Sequence, residues 1–215
     1  MSSNELVSAP PSDHFTQVVN AYEDTFPDDL YKDAIDRMRQ TNLKSLNQKD
    51  VQLILRPFLF TWGRMGRVLG EEGCPRICSL LKEMNEELFD LRYYMLESDF
   101  EKVTNIPELY NKIMCVQFKS GSKHTGSTAT SKVLHLVAPD FFAMWDDPIR
   151  GFYNFKVDGE EYKRFLANMK QWIIDLNPII TPLSQRFGKT KTKIIDEFNW
   201  YRLRPWWHKS EWSIV

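Results

Sequence analysis

Cysteine is scarce in this chain: Cys74, Cys78 and Cys115 are the only three in 215 residues. That is too few for a disulfide framework and fits a reducing compartment. No run of about 18 apolar residues occurs, so no membrane-spanning helix is expected. The opening stretch, MSSNELVSAPPSDHF, has neither the basic start nor the apolar segment of a secretion signal, so an intracellular location is expected. Excess charge of either sign is missing too, with 28 Lys+Arg against 29 Asp+Glu and a formal net charge of -1. Strict apolar–polar alternation is poor, and the Asp158-Gly159 pair opens a helical pattern instead of joining two strands. HExxH, Walker A, GxSxG and DxDxDG patterns are all absent. Cys74 and Cys78 stand four apart on one helix, yet no histidine or further cysteine pair completes a zinc set. They are expected to be buried structural thiols, with no metal and no cofactor.

What is present is apolar and aromatic. Hydrophobic residues make up 42% and aromatics 13%, including seven Trp, enough for a real core. The expected fold class is all-α. Residues 1–12 read as a flexible leader, and 13–215 as one helical domain divisible into lobes of about 13–115 and 116–215. Helices are expected over 13–26, capped by Ser12 or Asp13, over 28–39, and over 48–69 with a kink at Pro57. Ile77, Leu80, Leu81, Met84, Leu88 and Leu91 recur at spacings of three and four, which predicts one long amphipathic helix over 74–96. Further helices are expected after Asn105, from Ser127 to Val137, after Asp146 or Asp147, and over 158–176 and 191–203. Pro148 near the first helical position favours Asp147 as the cap.

Charge is unevenly placed. Residues 1–33 hold seven acids and one lysine, whereas 186–209 hold seven Lys/Arg and two acids with six interleaved aromatics. Such a stripe can contact phosphates through Lys189, Lys191 and Lys193 while its rings stack or pack inward. Two other readings stand beside it. Ile194, Ile195, Phe198 and Tyr201 at helical spacing suit a core face, and the acidic and basic stretches could pair with each other.

The segment from Gly126 to Asp146 carries the main lead. A Gly/Ser/Thr loop enters the helix STATSKVLHL, whose N-terminal N–H groups suit an anion, and PDFFAMWD then returns to open another helix. This arrangement resembles the helix-hairpin-helix DNA glycosylase superfamily of the endonuclease III type. The family's usual Leu-Pro-Gly-Val-Gly hairpin is replaced here by SGSKHTG. Thr128 stands eighteen residues before Asp146, the spacing at which bifunctional members carry their lysine.

The resemblance implies a two-lobed glycosylase-like domain in which Asp146 assists rupture of a base-to-sugar bond. It implies double-stranded DNA as partner, held by Lys119, Lys123, Gly126, Ser127 and Thr128 together with the basic stretch. Trp145 and Tyr153 become the candidates for lining a pocket around an extruded base. Lys132 shares a helix face with Thr128 and His135, roughly 6 Å further along the axis, and a lowered pKa would let it act as a weaker second candidate. The alternative is a non-enzymatic helical module that has lost the chemistry and meets a protein partner, or itself, through its aromatic C-terminal tail.

Overall fold

The structure, a computed structural model, describes residues 6–26, 29–62, 69–119, 121 and 125–204. Among them are twelve helices and no strand, as expected of an all-α chain. Lys123, His124 and the Trp206 and Trp207 of the aromatic tail lie outside the described residues.

α1 (Ser12–Thr25) follows Pro11, which, and not Ser12 or Asp13, occupies the cap position. Of the expected leader, residues 6–12 are described, and Val7 is paired through both its N–H and its carbonyl. The Val7 N–H donates to Asn168 Oδ1 at 3.0 Å, and the Val7 carbonyl accepts from Trp172 Nε1 at 2.8 Å. These two bonds satisfy the backbone polar groups of Val7. α2 (Asp29–Gln40) ends under Arg92, whose guanidinium donates to the carbonyls of Thr41, Met38 and Arg39. Those carbonyls at and just past the helix end then need no local partner.

α3 (Gln48–Asp50) opens with a capping box in which Asn47 and Asp50 exchange side-chain-to-backbone bonds. The expected long helix then widens into π-helical turns at Val51–Leu55 and Phe58–Trp62, on either side of Pro57. A proline has no N–H to close an ordinary turn, and the altered register absorbs that loss.

The helix expected over 74–96 is also divided, into α4 (Gly73–Glu83), α5 (Asn85–Phe89) and a 3-10 turn at Asp90–Tyr93. Ile77, Leu81, Met84, Leu88 and Leu91 are nevertheless all buried. Periodicity therefore identified the core face correctly and missed the break at Met84. The acids Glu86 and Glu87 sit in the first turn of α5, where a new helix start favours them.

α6 (Leu96–Asp99) and α7 (Ile106–Met114) lead to the loop before α8 (Ser127–Val137). α9 (Asp147–Phe152) and α10 (Gly159–Asp175) follow, the latter capped by Asp158 through the Glu161 N–H. α10 packs against α7 so closely that a Cβ on Gly159 would stand 2.4 Å from the Pro107 carbonyl oxygen. α11 (Asn177–Phe187) has no counterpart among the expected helices, because Pro178 and Pro182 look like breakers. Pro178 instead occupies the first turn, where its fixed φ suits a helix. Gly188 ends α11 in the left-handed region at φ 62°, ψ 40°, turning the chain into α12 (Lys191–Arg202). No described helix is long and apolar enough to cross a membrane.

α12 runs through the interior. Thr192 to Asn199 are all buried, the charged Lys193, Asp196 and Glu197 among them. α1 packs on it through Phe15, whose ring stacks on Phe198 at 4.8 Å, and Tyr22, which meets Trp200 edge-on at 5.8 Å. The acidic N-terminal and basic C-terminal stretches therefore do meet.

Candidate functional site

α8 begins at Gly126, which has no side chain to cap it, so first-turn N–H groups are left for water or an anion. The turn before it is held by Thr125, whose N–H donates to the Met114 carbonyl at 2.9 Å. Gly126 and Lys119 are exposed, Thr128 is half-buried, and Ser127 is buried. Beyond this first turn α8 is enclosed. The Ser131 hydroxyl lies 3.0 Å from the Trp145 carbonyl oxygen and accepts from the Trp145 N–H at 3.3 Å, pinning the return segment to the helix.

That segment delivers Asp146 to the start of α9. Asp146, and not Asp147, is the N-cap: its Oδ1 accepts from the Ile149 N–H at 3.0 Å, and Oδ2 receives Arg204. Pro148 takes the second helical position, and Asp147 points outward to pair with Arg150 at 3.2 Å.

Lys132 is 9 % exposed. Burial lowers its amine to about 8, with Asp196 and Asp146 pulling upward and Lys193 and Arg204 downward. One electrostatically connected set thus joins Lys132 on α8, Asp146 ahead of α9, Asp196 and Lys193 on α12, and Arg204 just past it. Burial likewise raises the Asp196 carboxyl, opposed by Lys193 and Lys132.

The proposed phosphate-contacting lysines of the C-terminal stretch require correction. Lys193 is fully buried, with its amine 3.1 Å from Glu197, 3.4 Å from Asp196 and 4.8 Å over the Tyr22 ring. Lys189 bridges Glu23 at 2.5 Å and Glu197 at 2.7 Å, its side chain 1 % exposed. Neither presents a cation to the surface, because a buried charge is tolerated only with partners close at hand. Lys191 is partly exposed and engaged by Glu97 at 2.8 Å and Asn177 at 3.0 Å. It edges a groove of about 360 Å³ that has Tyr31, Arg39 and Asp140 in its lining.

Both rings proposed for a base pocket lie in the core. Trp145 is 1 % exposed, with Tyr162 at 5.0 Å, Phe165 at 5.3 Å and Tyr110 at 5.9 Å between ring centres. Tyr153 is buried, and its hydroxyl donates to Asn199 Oδ1 at 2.9 Å. Neither ring has a face open to a stacked base. Cys74 and Cys78 are buried as expected.

His135 belongs to a second buried chain. Its Nδ1 lies 2.6 Å from the Phe142 carbonyl oxygen, which can only accept, so Nδ1 carries the proton. Nε2 then accepts from the Tyr31 hydroxyl at 2.8 Å. Burial pushes the imidazole down to about 3. Between pH 3 and 6.5 the unfolded histidine binds a proton that the folded one refuses, so this residue makes the fold less stable as pH falls through that window. His135→Gln is expected to be destabilised at pH 7 but to lose stability less steeply on acidification, by up to about 1.4 kcal/mol per pH unit. Urea midpoints of both proteins at pH 7 and 4.5 check this, and parallel losses would refute it.

Glu23, Asp196, Glu197, Arg204 and Tyr31 were not anticipated as parts of this region. Their one local sign is the spacing of Lys189, Lys193, Asp196 and Glu197, which places opposite charges three and four residues apart on a helix. Comparison with protein-family models, curated proteins and solved structures finds no match to the chain.

Proposed function

We propose that the chain is a DNA-binding protein with a two-lobed, glycosylase-like build, in which Asp146 assists hydrolysis of an N-glycosidic bond. The observation that carries this reading is the coupling of Asp146 to the buried Lys132, on a helix entered through the uncapped Gly126 turn. In this mechanism water attacks the sugar carbon, the base departs, and the Asp146 carboxylate stabilises the positive charge that develops on the sugar. Its geometry is fixed beforehand by the Ile149 N–H and Arg204, so little reorganisation is required during reaction. Double-stranded DNA would approach the α7–α8 turn, with Lys119 and the first-turn N–H groups of α8 as phosphate contacts. An extruded base would need rings other than Trp145 and Tyr153 to receive it.

The test is base release from a panel of damaged duplexes, together with binding to a duplex carrying a stable abasic-site analogue at two salt concentrations. Asp146→Asn is expected to slow base release by about 10²–10⁴-fold. Full activity in that variant would sink the mechanism. Absence of duplex binding at low salt would sink the nucleic-acid reading itself, since phosphate contacts are strongest there.

A second reading is favoured by the internal pairing of Lys189 and Lys193, which removes two cations from any phosphate surface. In it the chain is a non-enzymatic helical module that meets a protein partner, or a second copy, through the aromatic tail. Trp206→Ala or Trp207→Ala would then change the mass in solution while DNA has no effect.

A further inference from the structure

We propose that Arg204 is a phosphate-binding residue of the Asp146 site. Asp146 holds one amino group of the guanidinium, and the remaining donors are offered to a phosphodiester of the bound duplex. The inference rests on the reading of this region as a DNA-binding one.

The anchoring of Arg204 argues for it. Its Nη2 donates to Asp146 Oδ2, while the Ile149 N–H keeps Asp146 Oδ1 at the start of α9. The guanidinium lies 4.6 Å over the Trp200 ring, which is itself set edge-on against Tyr22 and Phe26. Just past α12, the Arg204 N–H donates to the Tyr201 carbonyl at 3.2 Å. An arginine carries five side-chain N–H donors in one rigid plane and can accept nothing. Among the described residues no acceptor meets Nε or Nη1 of Arg204, and these nitrogens are not sealed in, unlike the orphaned, buried Nε of Arg150 and of Arg202. A planar fork already fixed by a carboxylate and a ring loses little freedom when an oxyanion takes its open donors.

The location suits a phosphate as well. Ser131 bonds the Trp145 backbone, so Asp146, the next residue, and the Arg204 it holds lie beside the first half of α8. Ser131 is roughly 8 Å along the helix axis from Gly126, within the same end of α8 as its uncapped turn. The other cations of α12 and its approach are engaged elsewhere. Lys189 and Lys193 are buried with Glu197, Lys191 is held by Glu97, and Arg202 lies 4.2 Å over the Phe152 ring.

The test measures binding of the full chain to an undamaged DNA duplex over a range of salt concentrations. Arg204→Gln is expected to weaken low-salt binding about tenfold, alike for different sequences, and to reduce the salt slope by about one, the loss of one phosphate contact. The double variant Arg204→Gln/Asp146→Asn separates contact from mere screening, because it removes the acid together with its partner, and asparagine still serves as a helix cap. It is expected to show the same reduced slope. A double variant that binds like the unaltered protein would overturn the inference, since Arg204 would then only neutralise Asp146. An unchanged slope in Arg204→Gln would overturn it too. Should these variants fail to fold, the unaltered chain gives the answer by NMR of isotope-labelled arginine side chains, with Arg204→Lys assigning the signal. The Arg204 Nε–H resonance is expected to move as duplex is added, and a resonance that stays in place while the duplex binds would overturn the contact. Absence of duplex binding at low salt would sink the nucleic-acid reading and this contact with it, whereas binding with an unchanged slope sinks the contact alone. Base release enters none of these measurements, so the chemistry assigned to Asp146 stands or falls separately.

Discussion

Replacing Lys193 by alanine is expected to lower stability by about 3–5 kcal/mol, the usual cost of removing one partner from a buried ion pair. The amine sits between Glu197 and Asp196, with Tyr22 and Tyr31 rings beside it, and no part of the side chain reaches water. Its loss leaves Asp196 without its nearest cation and Glu197 with Lys189 alone. Burial already raises the Glu197 carboxyl above its ordinary value against the pull of Lys193 and Lys189, so a missing cation would drive it further toward the neutral acid. The double variant Lys193→Met/Glu197→Leu removes one charge of each sign and should cost less than Lys193→Ala, because the interior then keeps no stranded ion from that pair. Urea midpoints at constant slope measure both. A loss below about 1 kcal/mol for Lys193→Ala, the range of exposed pairs, would mean that water reaches the network and that α12 is not an interior helix.

Trp145→Ala is expected to cost about 3–5 kcal/mol, as large aromatic truncations in cores do. The indole is the hub of a ring cluster formed by Tyr110, Phe155, Tyr162 and Phe165, and it immediately precedes the Asp146 cap. Truncation removes contacts on several sides at once and leaves a cavity that neighbouring rings can fill only in part. The same substitution separates the two roles considered for this residue. A ring lining an open pocket could be trimmed at small cost in stability and large cost in ligand binding. A thermal melt or urea titration that barely moves would therefore return Trp145 to the pocket wall.

Local pattern explains much of what was legible. The bounds of α8, α10 and α12 follow from apolar spacing and cap chemistry, and Asp158 opens α10 where its sequence context says it should. Asp146 was recognisable as a helix-opening acid, although Pro148 pointed to its neighbour, because a proline is tolerated at the second helical position as well as the first. The prolines of α11 concealed a helix for a related reason. The larger misreading concerns charge. Lys189 and Lys193 look solvated because lysines usually are, and the Glu23 that neutralises Lys189 lies 166 residues away in the chain. Periodicity identifies which side of a helix is apolar, but a charged residue's partner depends on tertiary packing. Trp145 and Tyr153 erred in the opposite direction: their proximity to Asp146 in sequence suggested a pocket, whereas their ring neighbours come from α7, α10 and the end of α9.

The pairing of α1 with α12 also governs the order in which the molecule can be completed. A polypeptide leaving the ribosome exposes Phe15, Tyr22 and Glu23 early, yet Phe198, Trp200 and Lys189 emerge only after some 160 or more further residues. Until then the first helix has no surface on which to rest, and its acid has no counterion. Closure of the interior thus waits until α12 has emerged, and the nascent chain must keep an apolar helix from straying throughout that interval.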